Sequence, residues 1–561
     1  MEEKEIKNKI IKKIFRGDED ISFTEEIEVK YPPRKLKEGA MVTRVAPSPT
    51  GPMHVGTLYM SLISERFAHQ TDGVFYLRIE DTDKKREVEG ATELIPKSLK
   101  HYGIKTDEGQ DESGKEIGGY GPYKQSNREH IYKTYIKSLL EKNLAYPCFC
   151  SPEEMEKMRE KQEALKIRPG YYGKWAKCRD MSPREVLKCL DENRSYVIRF
   201  KSSGDFENKI FVKDLLKGER ELSENDQDIV IMKSDGLPTY HLGHVVDDHL
   251  MGTTHVLRGD EWLSSLPLHL QLFETMGWVP PLYGHIAPIQ KLEGTSKRKL
   301  SKRKDPEANV NYYDEQGYPK EAVIEYLLNL ANSNFEDWRR ENKDKKNTEF
   351  HISFEKLAHS NGALFDFKKL DDISREIVSR FSKDEIYANV LEWAEKYDRE
   401  FKSLLTKHKE YAENIFNIER GDAEEGKRRK DLSKWSEVKW EIEYFFDVKF
   451  SLDEEVLDNL LSEINVEDVK SVVSSFLDSY KETDSKDNWL AMMRKIVTDN
   501  GYAESAKAFK IEPTKYKGHL GDVARIFRVL LTNRMQTPDL YEIMQVMGKG
   551  RIMKRLTSVL D

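Results

Sequence analysis

The chain has 561 residues, enough for about three or four domains at roughly 150 residues each. Its four cysteines are too few for a disulfide framework, no apolar run approaches a membrane span, and MEEKEIKNKIIKKIF at the N-terminus lacks the apolar centre of a signal peptide, so a cytoplasmic location is expected. With 92 Lys and Arg against 100 Asp and Glu, the formal charge of −8 excludes a generally basic coat; any RNA must be held by local clusters of cations.

Residues 1–40 read as a charged extension in which Ile6, Ile10 and Ile14 predict a short amphipathic helix, either packed on the neighbouring domain or solvated as an arm. Next, Val42 and Val45 favour a strand, while Pro47, Pro49, Gly51 and Pro52 stop both ladder and helix. Beyond Gly56 the apolar Tyr59, Leu62, Ile63 and Phe67 share one helical face, so His54, Gly56 and Thr57 stand at a helix N-terminus. Backbone N–H groups and the helix dipole favour an anion there; an imidazole adds a donor, and a glycine lets a flat ring come close. A nucleoside triphosphate meets those requirements.

Val74 to Ile79 reads as a strand that delivers Glu80 to its C-terminal end, where ligands bind in open α/β sheets. Ser126 and Glu129 have capping-box spacing at the start of a long helix. From about Ala145 to Gln227 the alternation of strands and helices breaks, which predicts an insert between two halves of one sheet, the second half returning at DIVIMK. The insert carries Cys148, Cys150 and Cys178, either three thiolates for a structural zinc or reduced, packed thiols; the packed reading is preferred, and Cys189 fits no ligand spacing. Thr254 to Leu257 reads as a strand that ends on Arg258. TSKRKLSKRKDPE at 295–307 is a basic loop, and from Tyr318 onward apolar residues keep helical spacing in long polar segments. Residues 419–430 read as an exposed loop, and Arg528 and Arg534 as either RNA contacts or surface ion pairs.

R-V-A-P-S-P-T-G-P-M-H-V-G-T at 44–57, G-P-Y-K-Q-S at 121–126, P-T-Y-H-L at 238–242, R-G-D-E-W at 258–262 and Lys299-Leu300-Ser301-Lys302-Arg303 resemble class I aminoacyl-tRNA synthetases, most closely the bacterial glutamyl branch. S-K-R-K occurs at both 296 and 301, and only the later register places Leu300-Ser301 between the two lysines. Thr57 stands where the generic class I pattern has a second histidine.

The resemblance implies a Rossmann-like α/β catalytic domain in two halves (41–145 and 228–290), split by an α+β connective insert that meets the acceptor stem (146–227). A signature loop with a stem-contact region (291–372) and an all-helical anticodon-binding region (373–561) would complete the chain. It implies ATP at His54, Gly56, Thr57, Glu261, Trp262, Lys299, Ser301 and Lys302, with His54, Lys299 and Lys302 stabilising charge beside Mg²⁺. Glutamate is implied at Arg44, Ala46, Ser48, Glu80, Tyr240, His244 and Arg258; arginines suit a diacid because the guanidinium fork grips carboxylates in pairs. His244 replaces a small amide common in the branch, and a protonated imidazole there would make the pocket sensitive to pH. Some relatives hold a zinc with a histidine two residues after the third cysteine, where this chain has Asp180.

The implied partners are L-glutamate, ATP and tRNA(Glu), for a monomer that needs tRNA bound before it activates glutamate. A glutaminyl enzyme, or a glutamyl enzyme that also charges glutamine tRNA, is the alternative. The helical tail speaks against the former, whose kind usually ends in β-barrels.

Overall fold

The computed structural model describes residues 2–17, 21–358, 363–421 and 428–560. It divides into two units, residues 1–312 with 324–366, and residues 313–323 with 367–561.

In the first unit the N-terminal extension is packed. Helix Glu2–Ile14 and helix Thr24–Lys30 bury Ile10, Ile14, Ile27 and Tyr31 in one core with Ile131, Tyr135, Val186 and Leu190. Polar ties fix the register of this apolar contact. Tyr135 Oη donates to Glu28 at 2.7 Å, and Arg34 grips Glu108 with two hydrogen bonds of 2.7 Å. The solvated-arm alternative is excluded.

The half of the unit that follows the extension is built on short parallel strands. β1 (Val42–Val45) feeds α1 (Val55–His69), and the chain returns as β2 (Val74–Leu77), parallel to β1 with Arg44 opposite Tyr76. Later, α2 (Tyr240–Leu250) leads into β3 (His255–Gly259), and α3 (Leu266–Met276) into β4 (Leu282–Ile286), parallel to β3 with Arg258 opposite His285. Thr254 N–H joins the pairs by donating to the Val42 carbonyl at 3.0 Å. Arg44 and Arg258 therefore sit at the carboxyl ends of adjoining strands, the side on which open α/β sheets bind ligands.

The insert is α+β, as expected, but it takes more of the chain than its composition suggested. Val230–Met232, read from sequence as the return of the parallel sheet, pairs antiparallel with Val197–Phe200, which also pairs with Ala145–Cys148. A hairpin, Lys209–Asp214 with Gly218–Ser223, extends the insert. The Ser126 capping box does not form. Ser126 N–H donates to Asp81 Oδ1 at 2.8 Å, residues Gln125–Arg128 turn as a 3₁₀ helix, and the α-helix starts at Glu129.

In the second unit the described secondary structure from 367 to 560 is helical apart from one bridge, Ala503 to His519. Its core joins Phe401, Leu405, Ile415, Val472, Phe476, Ile526 and Phe527, and side-chain caps at Ser382, Asn465, Ser485 and Asp539 start four of its helices. Arg534 is ion-paired to Glu441 at 2.7 Å and lies 3.6 Å from the Trp440 ring centroid, and Arg528 donates to Thr537. The middle of the 419–430 loop, residues 422–427, lies outside the described residues. No helix among the described residues is long and apolar enough to cross a membrane.

Candidate active site

Position 54 is the N-cap of α1, and its imidazole does the capping. Nδ1 accepts the Gly56 N–H at 2.8 Å, while Thr57 and Leu58 N–H both turn back to the His54 carbonyl at 2.8 and 3.1 Å. This corrects the expectation of open backbone donors at the helix start: the first-turn N–H groups at 56–58 are already satisfied, and the other ring nitrogen of His54 lies within reach of the Leu300 backbone. Burial and the nearby Lys302 and Lys299 charges hold His54 below its ordinary value. It is neutral near pH 7, with its proton on Nε2 because Nδ1 accepts. A Cβ at Gly56 would stand 3.0 Å from His54 Nδ1, so the glycine makes room for the cap.

A cavity of about 330 Å³ opens beside this cap, in the range of small-ligand sites. Arg44, Ala46, His54, Gly56, Thr57, Arg258, Glu261, Trp262 and Lys299, nine of the expected residues, line it. Arg44 is 5% exposed, its Nε has no hydrogen-bond partner, and its nearest acid is Asp248, 3.6 Å away. That Nε is the atom that faces Asp248, so the acid sets the orientation of the Arg44 guanidinium.

The basic loop closes one side of the cavity. Gln290–Glu293 and Ser296–Lys299 form a hairpin, Leu300 is buried behind it, and Arg298 grips Asp305 with bonds of 2.6 and 2.8 Å. That grip, with the Ser301 N–H on the same carboxylate, holds Asp305 well below the usual carboxylate range and pins the turn. Lys299 pairs with Glu261 at 2.6 Å, whereas Lys302 reaches across to the Pro52 carbonyl, two residues before His54. The two distant signature segments therefore meet.

Six expected residues stand off the cavity wall. Tyr240 packs its ring 4.4 Å from Trp262, one layer back. Glu80 Oε1 accepts from Arg78 at 2.9 Å, and burial raises its pKa against the pull of Arg78 and Arg44. Ser48 is exposed, and Ser301 contributes its backbone to Asp305. Lys302 lies at the rim on Pro52.

His244 is a correction. It is fully buried, stacked on Tyr240 at 5.6 Å, with Nε2 3.1 Å from Tyr283 Oη and Nδ1 2.9 Å from Asp248 Oδ2 in poor alignment. Burial lowers its pKa to about 3, so it supports Tyr240 as a neutral ring and brings no charge to the pocket near pH 7.

Two groups escaped the sequence reading. Arg78, fully buried, donates to Asp248 at 2.6 Å and Glu80 at 2.9 Å and lies 3.7 Å from Asp247; Arg128 donates to Asp247 at 2.7 Å. Adjacent acids in the otherwise apolar run V-V-D-D-H-L were the available signal, because buried carboxylates need cations. The second group surrounds Arg258. Nε donates to His285 at 2.9 Å, Nη1 to His269 at 3.1 Å and Nη2 to the Trp262 carbonyl at 3.2 Å. Behind them, His285 meets Asp214 at 2.5 Å and His269 meets His241 at 3.0 Å. Burial lowers all three imidazoles.

In the insert, the Sγ atoms of Cys148, Cys150 and Cys178 lie within 4.8 Å of one another. Tyr171 Oη approaches Cys148 at 3.4 Å and Cys150 at 3.5 Å, whereas Asp180 is 86% exposed and turned to Lys201. Asp180 is thus turned away from the cluster, and the Tyr171 oxygen is the group beside the sulfurs. Hydrogen bonds from the two neighbouring thiols push Cys148 down.

A family model described as tRNA synthetases class I (E and Q), catalytic domain, matches residues 40–372, and one described as an anticodon binding domain matches residues 427–560. The glutamate–tRNA ligase of Clostridium perfringens strain 13 is 49% identical over 527 residues, 94% of this chain and 96% of that protein. That of Acetivibrio thermocellus is 46% identical over 533 residues, 95% of this chain and 96% of that protein. A crystal structure of a glutamate tRNA ligase from Elizabethkingia meningosepticum in complex with its amino acid is similar at TM-score 0.69 and 26% identity, covering 93% of this chain and 99% of that one. The chain belongs to the class I tRNA synthetases of the E and Q branch and groups there with the glutamate–tRNA ligases.

Proposed function

We propose that ATP and glutamate are activated together in the cavity between β1 and β3, with ATP over His54 and Gly56 and glutamate between Arg44 and Arg258. The enzyme attaches glutamate to tRNA. The α-carboxylate of glutamate attacks the α-phosphorus and pyrophosphate leaves; a ribose hydroxyl at the tRNA 3′ end then attacks the mixed anhydride and AMP leaves. The α-carboxyl, with a pKa of about 3.5, is ionised without a general base. Catalysis is accordingly positioning plus charge stabilisation. His54 Nε2–H and Lys302 donate to the triphosphate, and Lys299, released from Glu261 as the loop closes, adds a second ammonium group. Bound Mg²⁺ would neutralise part of the phosphate charge.

The observation that carries this reading is that Arg44, Arg258, His54 and Lys299 line one cavity. ATP–pyrophosphate exchange with glutamate or glutamine, with and without tRNA, tests it. Exchange is expected with glutamate when tRNA is present; exchange driven by glutamine would favour the alternative amino acid. A monomer in the cytoplasm, contacting the acceptor stem through the insert and the anticodon through the helical region, completes the proposal.

Against the packed-thiol reading preferred from sequence, we propose a structural zinc at the cysteine cluster. A tetrahedral ion with Zn–S bonds of about 2.3 Å separates its sulfurs by about 3.8 Å and a phenolate oxygen from sulfur by about 3.6 Å. Cys150 to Cys178 is 3.7 Å, and Tyr171 Oη stands 3.4 and 3.5 Å from two sulfurs. Elemental analysis of protein purified without chelator should find about one zinc per chain; a metal-free, fully folded protein would restore the packed-thiol reading.

A further inference from the structure

The hydrogen-bond partners of Arg258 among the described residues are all neutral acceptors, His285 Nε2, His269 Nδ1 and the Trp262 carbonyl, and the Tyr283 ring lies 4.8 Å from its guanidinium. A guanidinium has five N–H donors, so one is left on each terminal nitrogen, a pair that a carboxylate can take in a two-pronged grip. An imidazole accepts only at its unprotonated nitrogen. His285 must therefore carry its proton on Nδ1, and there it faces Asp214 Oδ2 at 2.5 Å. Asp214 is itself fixed as an anion, because its Oδ1 accepts the Leu216 N–H at 2.9 Å and the Lys217 N–H at 2.8 Å. Asp214, His269 and His285 are buried, so no water competes for these roles. Asp214 ends a strand of the insert hairpin, whereas His285 belongs to β4.

We propose that Asp214 is a positioning residue for glutamate binding: it locks His285 as the Nδ1–H tautomer, which keeps Nε2 an acceptor and holds the Arg258 fork open toward a substrate carboxylate. The inference rests on the reading that Arg258 binds glutamate. A carboxylate placed directly on Arg258 would orient it too, but would compete with the substrate for the fork and cancel its charge. With an imidazole between them, the acid orients without competing.

Asn at 214 keeps the shape and inverts the logic. The Leu216 and Lys217 N–H groups hold its amide oxygen, so its NH₂ faces His285, drives the ring proton to Nε2 and sets it donor to donor against Arg258 Nε–H. The test is the KM for glutamate and for ATP in tRNA charging. Asp214→Asn should raise the glutamate KM about tenfold or more and leave the ATP KM within about twofold. His285→Gln presents an amide oxygen at the Nε2 position whatever stands at 214, so it should keep the glutamate KM within about threefold and make added Asp214→Asn nearly silent. An unchanged glutamate KM in Asp214→Asn, an equal rise in both backgrounds, or an equal rise in the ATP KM would overturn the proposal. Should Asp214→Asn fail to fold, His285→Gln against His285→Leu decides: near-native against raised supports it, equal values overturn it. Arg258→Lys run alongside separates the two levels. If that variant leaves the glutamate KM unmoved, the reading of Arg258 itself fails; if it raises the KM while Asp214→Asn does not, only the role of Asp214 falls.

Discussion

Arg78, just past β2, and Arg258, in β3, are both buried on either side of β1, yet their surroundings are opposites. Arg78 meets carboxylates, with Asp248 at 2.6 Å, Glu80 at 2.9 Å and Asp247 at 3.7 Å. Arg258 meets two imidazoles and a carbonyl. The first arrangement cancels the charge and leaves nothing for a ligand; the second orients the group and keeps its charge available. Arg44 stands between them, 3.6 Å from Asp248 with an unpartnered Nε. The exposed lysines of the basic loop follow a different rule, since Lys299 lies on Glu261 and Lys302 on the Pro52 carbonyl, and both are assigned to the triphosphate. The chemistry of a buried cation's neighbours thus separates structural from substrate-facing roles.

That contrast breaks most severely at Arg78. Arg78→Met leaves Asp248 and Asp247 under-compensated and should cost about 3–5 kcal/mol of stability, read by urea denaturation. A smaller loss, under about 1 kcal/mol, would mean the acids simply protonate. On the substrate-facing side, Lys302→Ala should lower charging turnover at saturating ATP about a hundredfold with stability unchanged. Unaltered turnover would remove Lys302 from the mechanism.

Neutral imidazoles exact a cost in acid. His241 and His244 are held at about 4 and about 3 by burial, whereas in the unfolded chain they titrate near 6.5. Between those values the unfolded state binds more protons, so stability falls as pH drops below about 6.5, by about 1.4 kcal/mol per pH unit for each ring. His69, raised to about 9 by Asp107 and Glu65, acts in another window: its contribution is complete below about 6.5 and lost as pH rises past 9. Thermal unfolding at pH 7 and pH 5 checks the acid limb, and His244→Gln should flatten it. The smallest effect is expected in binding. Because His244 stays neutral, its replacement by Asn should leave the shape of glutamate affinity against pH unchanged from about pH 5.5 to 8; a shifted titration would show that the ring charges after all.

Much of the cavity was legible because its signals are local. Pro47, Pro49 and Gly51 mark the turn, the spacing of Tyr59, Leu62 and Phe67 marks α1, and Arg44 and Arg258 follow short β-branched runs. What was missed depends on partners far along the chain. Ser126 has capping-box spacing, but Asp81 takes its N–H; Val230–Met232 reads as sheet, but the strand it joins is in the insert. The ring of Asp214, His241, His269 and His285 around Arg258 follows no period, so only folding reveals it. The N-terminal helix announced its apolar face through Ile6, Ile10 and Ile14, without naming what covers it.

The most direct test of the central claim, that Arg258 is a charge kept open for the substrate while Arg78 is a charge spent on the fold, is the glutamate KM of Arg258→Lys measured beside its ATP KM and its unfolding free energy. Lysine keeps the charge and loses the fork, so the glutamate KM should rise about a hundredfold, the ATP KM should stay within about twofold, and stability should fall by under about 1.5 kcal/mol. A glutamate KM equal to that of the unmodified enzyme, or a stability loss as large as that of Arg78→Met, would contradict the account.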